Sequence, residues 1–281
     1  MANIWITGAD GQLGKALREK HFNPLDELFF TDREVDITDP RAITDFANKN
    51  DVDTIINCAA YTNVDRAEDH EQDARAVNRD GVANLAALCR EQGNLLVHLS
   101  TDYVFDGETN APYHERHATN PLSAYGRTKR DGELAIRRSG CLHLIIRTSW
   151  LFSSTGDNFP RAILRLAAER DELRVVNDQT GSPTFAGDLA DAILRLLSVD
   201  ELPEYQGIYH YANAGSCSRY DLAREILALS GSTCRVIPVT TAELPARAPR
   251  PPYSVLDSRK IRDAFGLEIP DWRDALRRCF G

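Results

Sequence analysis

The chain has no run approaching the roughly 18–20 uninterrupted apolar residues that a membrane-spanning helix needs. Its opening, MANIWITGADGQLG, lacks the basic start and long apolar stretch of a secretory leader. Both absences point to a cytoplasmic protein with no membrane partner. It has no C-x-x-C pair: Cys58, Cys89, Cys141, Cys217, Cys234 and Cys279 are scattered, which fits reduced, mostly buried thiols. No His/Cys cluster has the spacing of a zinc site, so no metal site is expected from the residues. Cationic charge is short: 33 Lys and Arg stand against 42 Asp and Glu, for a net charge of −9. That balance disfavours nucleic acid and anionic membranes as partners. An anionic ligand would need arginines placed locally. Lysine is scarcest, confined to Lys15, Lys20, Lys49, Lys129 and Lys260. There is no internal repeat or low-complexity stretch. What remains is 281 residues, 42% hydrophobic and 27% charged, enough for one large domain or two unequal ones.

The first forty residues read as strand, glycine turn and helix. Ile4-Trp5-Ile6 suits a buried parallel strand. Gly8, Gly11 and Gly14 follow as G-x-x-G-x-x-G before an amphipathic stretch. Glycines there permit a tight turn, close backbone approach to a pyrophosphate, and tight helix–strand packing, while the helix start offers free N–H groups. The plain alternative is a flexible turn. A second strand, Leu28 to Thr31, ends at Asp32-Arg33. An acidic residue at this distance binds adenosine ribose hydroxyls and favours NAD, whereas an adjacent arginine suits the NADP 2′-phosphate. The pair leaves that choice open. Asp36 and Ile37 lie in a loop leading to a helix capped by Thr38 or Asp39. A third strand, Val52 to Asn57, runs into Cys58-Ala59-Ala60-Tyr61-Thr62, whose small residues would let a strand end approach a flat cofactor or simply pack tightly. A fourth, Leu95 to Ser100, places Thr101, Asp102 and Tyr103 at its C-terminal end, where ligands sit in doubly wound sheets.

Tyr125 and Lys129 stand four apart in SAYGRTKRDGE, in a helix expected to start near Pro121-Leu122-Ser123 and stop at Gly140. They therefore share one helical face. A free phenol donates a proton poorly near neutral pH, and a neighbouring ammonium favours its phenolate. The plain alternative is two polar residues on a wet surface. With lysine so rare, and with the glycine turn and Thr101 in the same chain, the pair reads as a proton donor and its cation, with Thr101 helping to polarise a carbonyl.

In the second half, Leu142 to Arg147 is a strand leading to Trp150. Asn158-Phe159-Pro160 opens an amphipathic helix with Ile163 and Leu164 inward and Arg161, Arg165 and Arg170 outward. Gly207 to Tyr211 alternates like a strand returning to the main sheet. Ser218 to Leu229 is a capped helix closed by Gly231. Ala246 to Pro252 is too proline-rich for a helix or central strand, and Arg250 projects from that loop. None of the seven histidines is assigned to catalysis.

The ordered set of glycine turn, strand-end Thr101 and Y125-x-x-x-K129 resembles the extended short-chain dehydrogenase/reductase family over nearly the whole chain. The stretches NCAAYTNVDRAE, STDYVFDG, PLSAYGRTK, RTSWLF, VNDQTGSPT and RPPYSVL resemble its branch that reduces a dTDP-linked 4-keto-6-deoxy sugar. The resemblance implies an α/β fold: a Rossmann-like doubly wound parallel sheet over residues 1–152 with a return strand near 207–212, and a smaller C-terminal α/β substrate domain over most of 153–281. It implies Thr101, Tyr125 and Lys129 as the catalytic set. NADPH or NADH would lie along Gly8, Asp10, Gly11, Gln12, Leu13, Gly14, Asp32, Arg33, Asp36, Ile37, Ala59, Ala60 and Tyr61, reaching Tyr125 and Lys129. A nucleotide-sugar substrate would meet Thr62, Val64, Thr101, Asp102, Tyr103, Trp150, Asn158 and, at its diphosphate, Arg250. Lys129 would bind the nicotinamide ribose and lower the Tyr125 pKa. Some relatives dimerise through magnesium held partly by a carboxylate of the first helix. The matching position here is Ala16, with Glu19 out of register, so Mg2+ and a homodimer are left open. Two alternatives stand beside this reading. One is an epimerase or dehydratase of the same fold, although dehydratases show Asp-Glu after the threonine where this chain has Asp102-Tyr103. The other is a non-catalytic regulatory subunit that binds dinucleotide, such as that of methionine adenosyltransferase.

Overall fold

The computed structural model describes residues 2–199 and 202–280. Five strands come before residue 149: β1 (Asn3–Thr7), β2 (Glu27–Thr31), β3 (Thr54–Asn57), β4 (Leu95–Thr101) and β5 (His143–Thr148). A sixth, Gly207–His210, returns to pair with β5. All six are parallel, in the order return strand, β5, β4, β3, β1, β2. The chain leaves β1 for β2 on one side and comes back for β3 on the other. Beyond their first residues the connections after β1 and β3 run to opposite faces of the sheet, leaving a crevice at the carboxyl ends of the strands.

Eleven helices are described: α1 (Gln12–Arg18), α2 (Pro40–Lys49), α3 (Val64–Asp69), α4 (Glu71–Arg75), α5 (Val82–Gln92), α6 (Ala124–Ser139), α7 (Phe159–Ala167), α8 (Ala186–Leu197), α9 (Arg219–Ser230), α10 (Arg259–Phe265) and α11 (Trp272–Phe280). A strand sends successive side chains to opposite faces, and a parallel sheet must have both faces covered. Accordingly Ile4, Ile6, Val97 and Ile146 face Leu13 and Leu17 of α1, Leu189 and Ile193 of α8, and Ile261 and Phe265 of α10. Trp5, Ile55, Leu96 and Ile145 face Ile43 of α2, Leu85 of α5 and Ile136 of α6. The return strand, α8 and α10 all come from beyond residue 152, yet they complete this first core.

A second core gathers Phe152, Ile163, Leu173, Val175, Leu222, Ile226, Trp272 and Leu276. It joins α7, α9 and α11 to a parallel pair of strands, Glu172–Val176 and Arg235–Val239. Local signals set these ends. Asn158 caps α7 and Ser218 caps α9 in a reciprocal box with Asp221, while Gly231 closes α9 in the left-handed conformation. Asp39, not Thr38, caps α2.

Candidate active site

A cavity of about 930 Å³ opens at the carboxyl ends of the central strands. One arm runs past the turn after β1 and past Asp32, Arg33, Asp36 and Ile37. The other runs past Thr62, Val64, Tyr103, Trp150, Phe159 and Arg219. Thr101, Tyr125 and Lys129 line the same cavity from β4 and α6.

The first arm is shaped by backbone. Gly8 has φ +62°, and a Cβ there would lie 2.5 Å from the Ala59 nitrogen. Only glycine lets the β1 turn and the β3 turn touch. Gly11 forms the start of α1, which no side chain caps. The Asp10 N–H donates to Asp32 Oδ2 at 3.1 Å, tying the turn to the end of β2. This is a cradle without bulk, closed by Ala59 and Ala60, and it fits a flat dinucleotide with a pyrophosphate.

Helix α6 supplies the reactive groups. Ser123 caps it, accepting from the Gly126 N–H, and Gly140 ends it at φ +71°. A Cβ at Gly126 would lie 2.2 Å from the Tyr103 carbonyl, so the helix lies directly on the segment after β4. Lys129 is buried, and its Nζ donates to the Leu99 carbonyl at 2.5 Å. Burial pulls its pKa from 10.5 to about 8, against the opposing pull of Glu133 one turn on. Burial also holds the Tyr125 phenol above its ordinary value, with a hydrogen bond to Thr101 acting the other way. The lowering of Tyr125 expected from Lys129 is not what this geometry gives: the ammonium is committed to the Leu99 carbonyl, and desolvation dominates at the phenol. The Tyr103 ring meets Tyr125 edge-on at 5.9 Å. Thr101 donates to Asp102 Oδ1 at 3.1 Å and accepts from the Tyr103 N–H at 3.2 Å. Asp102 is itself buried, which pushes its pKa up to about 6, with the nearby Ser254 and Thr101 hydroxyls acting the other way.

Three of the expected residues do not line the cavity. Gly14 lies beneath it, where a Cβ would come 2.5 Å from Ala9, so its role is packing. Asn158 is turned into structure: its side chain caps α7 and its amide donates to Gln12 Oε1 at 2.9 Å. Arg250 is gripped in bidentate fashion by Asp65, with both contacts at 2.7 Å, and reaches Tyr103 from outside the cavity. All the other expected residues line it.

Sequence reasoning missed several supports. Asn78 lies in a π-helical turn, Ala76–Gly81, a form that recurs at functional sites. Its side chain bonds both main-chain groups of Tyr61 and the Thr128 hydroxyl, clamping the β3 turn to α6. Glu133 and Arg147 form a buried ion pair, with Nε–Oε1 at 2.9 Å and a second contact at 2.6 Å, joined by Ser100. Arg219 enters the cavity wall from the first position of α9. Its only sequence signal is the capping serine before it, which fixes a helix start and says nothing of a site.

The family model described as the RmlD substrate binding domain matches residues 1–281. The chain belongs to this family. A dTDP-4-dehydrorhamnose reductase of Burkholderia thailandensis is 38% identical over 290 residues, covering 98% of this chain and 97% of the relative. A probable dTDP-4,6-dihydroxy-2-methyloxan-3-one 4-ketoreductase of Streptomyces antibioticus is 42% identical over 278 residues, covering 98% of this chain and 93% of the relative. Among solved structures, the dTDP-4-dehydrorhamnose reductase of Bacillus anthracis in complex with NADP is similar with a TM-score of 0.94 at 38% identity, covering 99% of this chain and 98% of that one. As an RmlD-family chain, this protein has a parallel-sheet cradle and Tyr–Lys helix in a fold shared across its whole length with a relative solved with NADP.

Proposed function

We propose that the chain reduces the C4 keto group of dTDP-4-dehydrorhamnose (dTDP-4-dehydro-6-deoxy-L-mannose) to give dTDP-L-rhamnose, using a nicotinamide dinucleotide. The observation that carries the reading is the meeting of Thr101, Tyr125 and Lys129 in one cavity, between a glycine cradle and an aromatic arm. Family membership and the names of the Burkholderia and Bacillus relatives support it.

When bound, the dinucleotide supplies hydride to C4. Gly8, Gly11 and the start of α1 would hold its pyrophosphate, and Lys129 its nicotinamide ribose. The Tyr125 hydroxyl donates a proton to the C4 oxygen. Its raised pKa keeps it protonated near neutral pH, so the donor form is the resting form. Thr101, on the cavity wall beside Tyr125, orients the keto group. Asp102 and Tyr103 fix the end of β4 that presents Thr101. Between the two dinucleotides, Arg33 supports NADPH as our reading. The Asp32 carboxylate is engaged by the Asp10 N–H, while Arg33 is exposed and forms no ion pair among the described residues.

The test follows absorbance at 340 nm with NADPH and NADH and the keto-sugar generated in place from dTDP-glucose. Oxidation that requires the complete mixture is expected. Tyr125→Phe should lose about 10²–10⁴ in kcat and keep its dinucleotide affinity. Normal turnover by that variant would remove Tyr125 from the chemistry. The Streptomyces relative's name supports a second reading, a different dTDP-linked keto-sugar, and a comparison of kcat/KM between the two substrates decides between them.

A further inference from the structure

The geometry points to Arg219 as the cation that holds the diphosphate of the nucleotide-linked substrate. This rests on the function proposed above and assigns one contact within it.

Three other arginines are already spent on carboxylates: Arg147 on the buried Glu133, Arg278 on the buried Asp188, and Arg250 on the half-exposed Asp65. Arg219 forms no ion pair among the described residues. Its guanidinium lies over the Trp150 ring at 3.5 Å and near the Phe159 ring at 5.0 Å. It lies beside the Tyr103 side chain, and its remaining surface opens into the cavity. A guanidinium held over the face of an indole can keep N–H donors free for a bidentate anion. In a chain of net charge −9, such a site has to be local.

The setting is built for this arrangement. Trp150 sits at φ +47°, a left-handed conformation uncommon for a bulky residue. Its indole rests against Gly181, where a Cβ would come 2.4 Å from the ring. Gly181 pairs with Cys217, two residues before Arg219. One short strand pairing thus seats the ring and delivers the cation that stacks on it. Tyr103 then links Arg219 to Tyr125 through the edge-on ring contact. The same comparison explains why Arg250 is the wrong choice: its fork is filled by Asp65.

Calorimetric titration of the full chain with dTDP, thymidine and NADPH tests the assignment. Arg219→Met is expected to weaken dTDP binding roughly 10–100-fold, the range for a lost charge-assisted hydrogen-bonded contact. Thymidine and NADPH affinities should stay within about twofold, which also shows that the site is folded. Arg219→Lys keeps charge and loses the fork, so it should fall between. If Arg219→Met does not fold, Arg219→Lys against thymidine decides alone. Unchanged dTDP affinity would reduce Arg219 to a packing partner of Trp150 and overturn the proposal. An equal loss of NADPH affinity would assign the cation to the dinucleotide and overturn it too. Wild-type turnover of the keto-sugar reports separately: binding of dTDP without turnover defeats the functional reading, not the role of Arg219.

Discussion

Lys129 should make this protein less stable near neutral pH than it is in mild alkali. The native pKa of about 8 lies below the 10.5 of the free side chain. Between those values the unfolded chain binds a proton that the folded chain has released, so stability rises with pH across that window. Below pH 8 both states are protonated and the folded state bears the whole cost of burying the ammonium. At about 1.4 kcal/mol per pH unit that cost is roughly 3 kcal/mol, of which about 1 kcal/mol is relieved between pH 7 and 9. Lys129→Met removes the charge but also the hydrogen bond to the Leu99 carbonyl, a loss of about 1–3 kcal/mol. The variant should therefore be about as stable as wild type at pH 7, or up to about 2 kcal/mol more so, while inactive. The decisive quantity is the slope. Urea unfolding of dinucleotide-free, fully reduced protein at pH 7, 8 and 9 should show wild type gaining about 1 kcal/mol on the variant. Cys58, pushed up to about 12 by burial, works in the opposite direction above pH 9, which is why the comparison stops there. Parallel pH curves for the two proteins would refute the reasoning.

Two further outcomes are expected. Glu133→Ala leaves Arg147 buried without its partner, which should cost about 3–5 kcal/mol and lower the thermal midpoint by roughly 10 °C, read by circular dichroism. Replacing both partners by Leu and Met should restore most of it. Gly8→Ala should lower NADPH affinity at least about tenfold with little change in dTDP affinity, since its Cβ would drive the two turns apart at φ +62°. Titration with each ligand checks this, and intact NADPH binding would mean that the turns separate without harm.

Much of the fold was legible because it rests on local rules. Ile4-Trp5-Ile6 is apolar throughout because a parallel strand is covered on both faces, and the structure covers it on both. Ser123 and Gly140 mark the ends of the helix that carries Tyr125 and Lys129, and the i, i+4 spacing places both side chains on the cavity. The return strand expected near 207–212 followed from its alternation, and Gly207–His210 pairs with β5. The supports were harder to see because each joins residues far apart in sequence. Asn78 matters through Tyr61 and Thr128, and Glu133 through Arg147 and Ser100. No spacing rule links positions on separate elements.

The two arginines draw the line most clearly. Sequence alone determined that an anionic ligand needs a local cation, since the chain as a whole is acidic, and it offered Arg250 because a proline-rich loop presents it. Only the tertiary structure decided which arginine is free. It brought Asp65 of α3 against Arg250, 185 residues away in the chain, and set Arg219 on the indole of Trp150. Composition and periodicity determine which charges and faces a chain possesses. Which charges cancel depends on distances that exist only once the chain has folded.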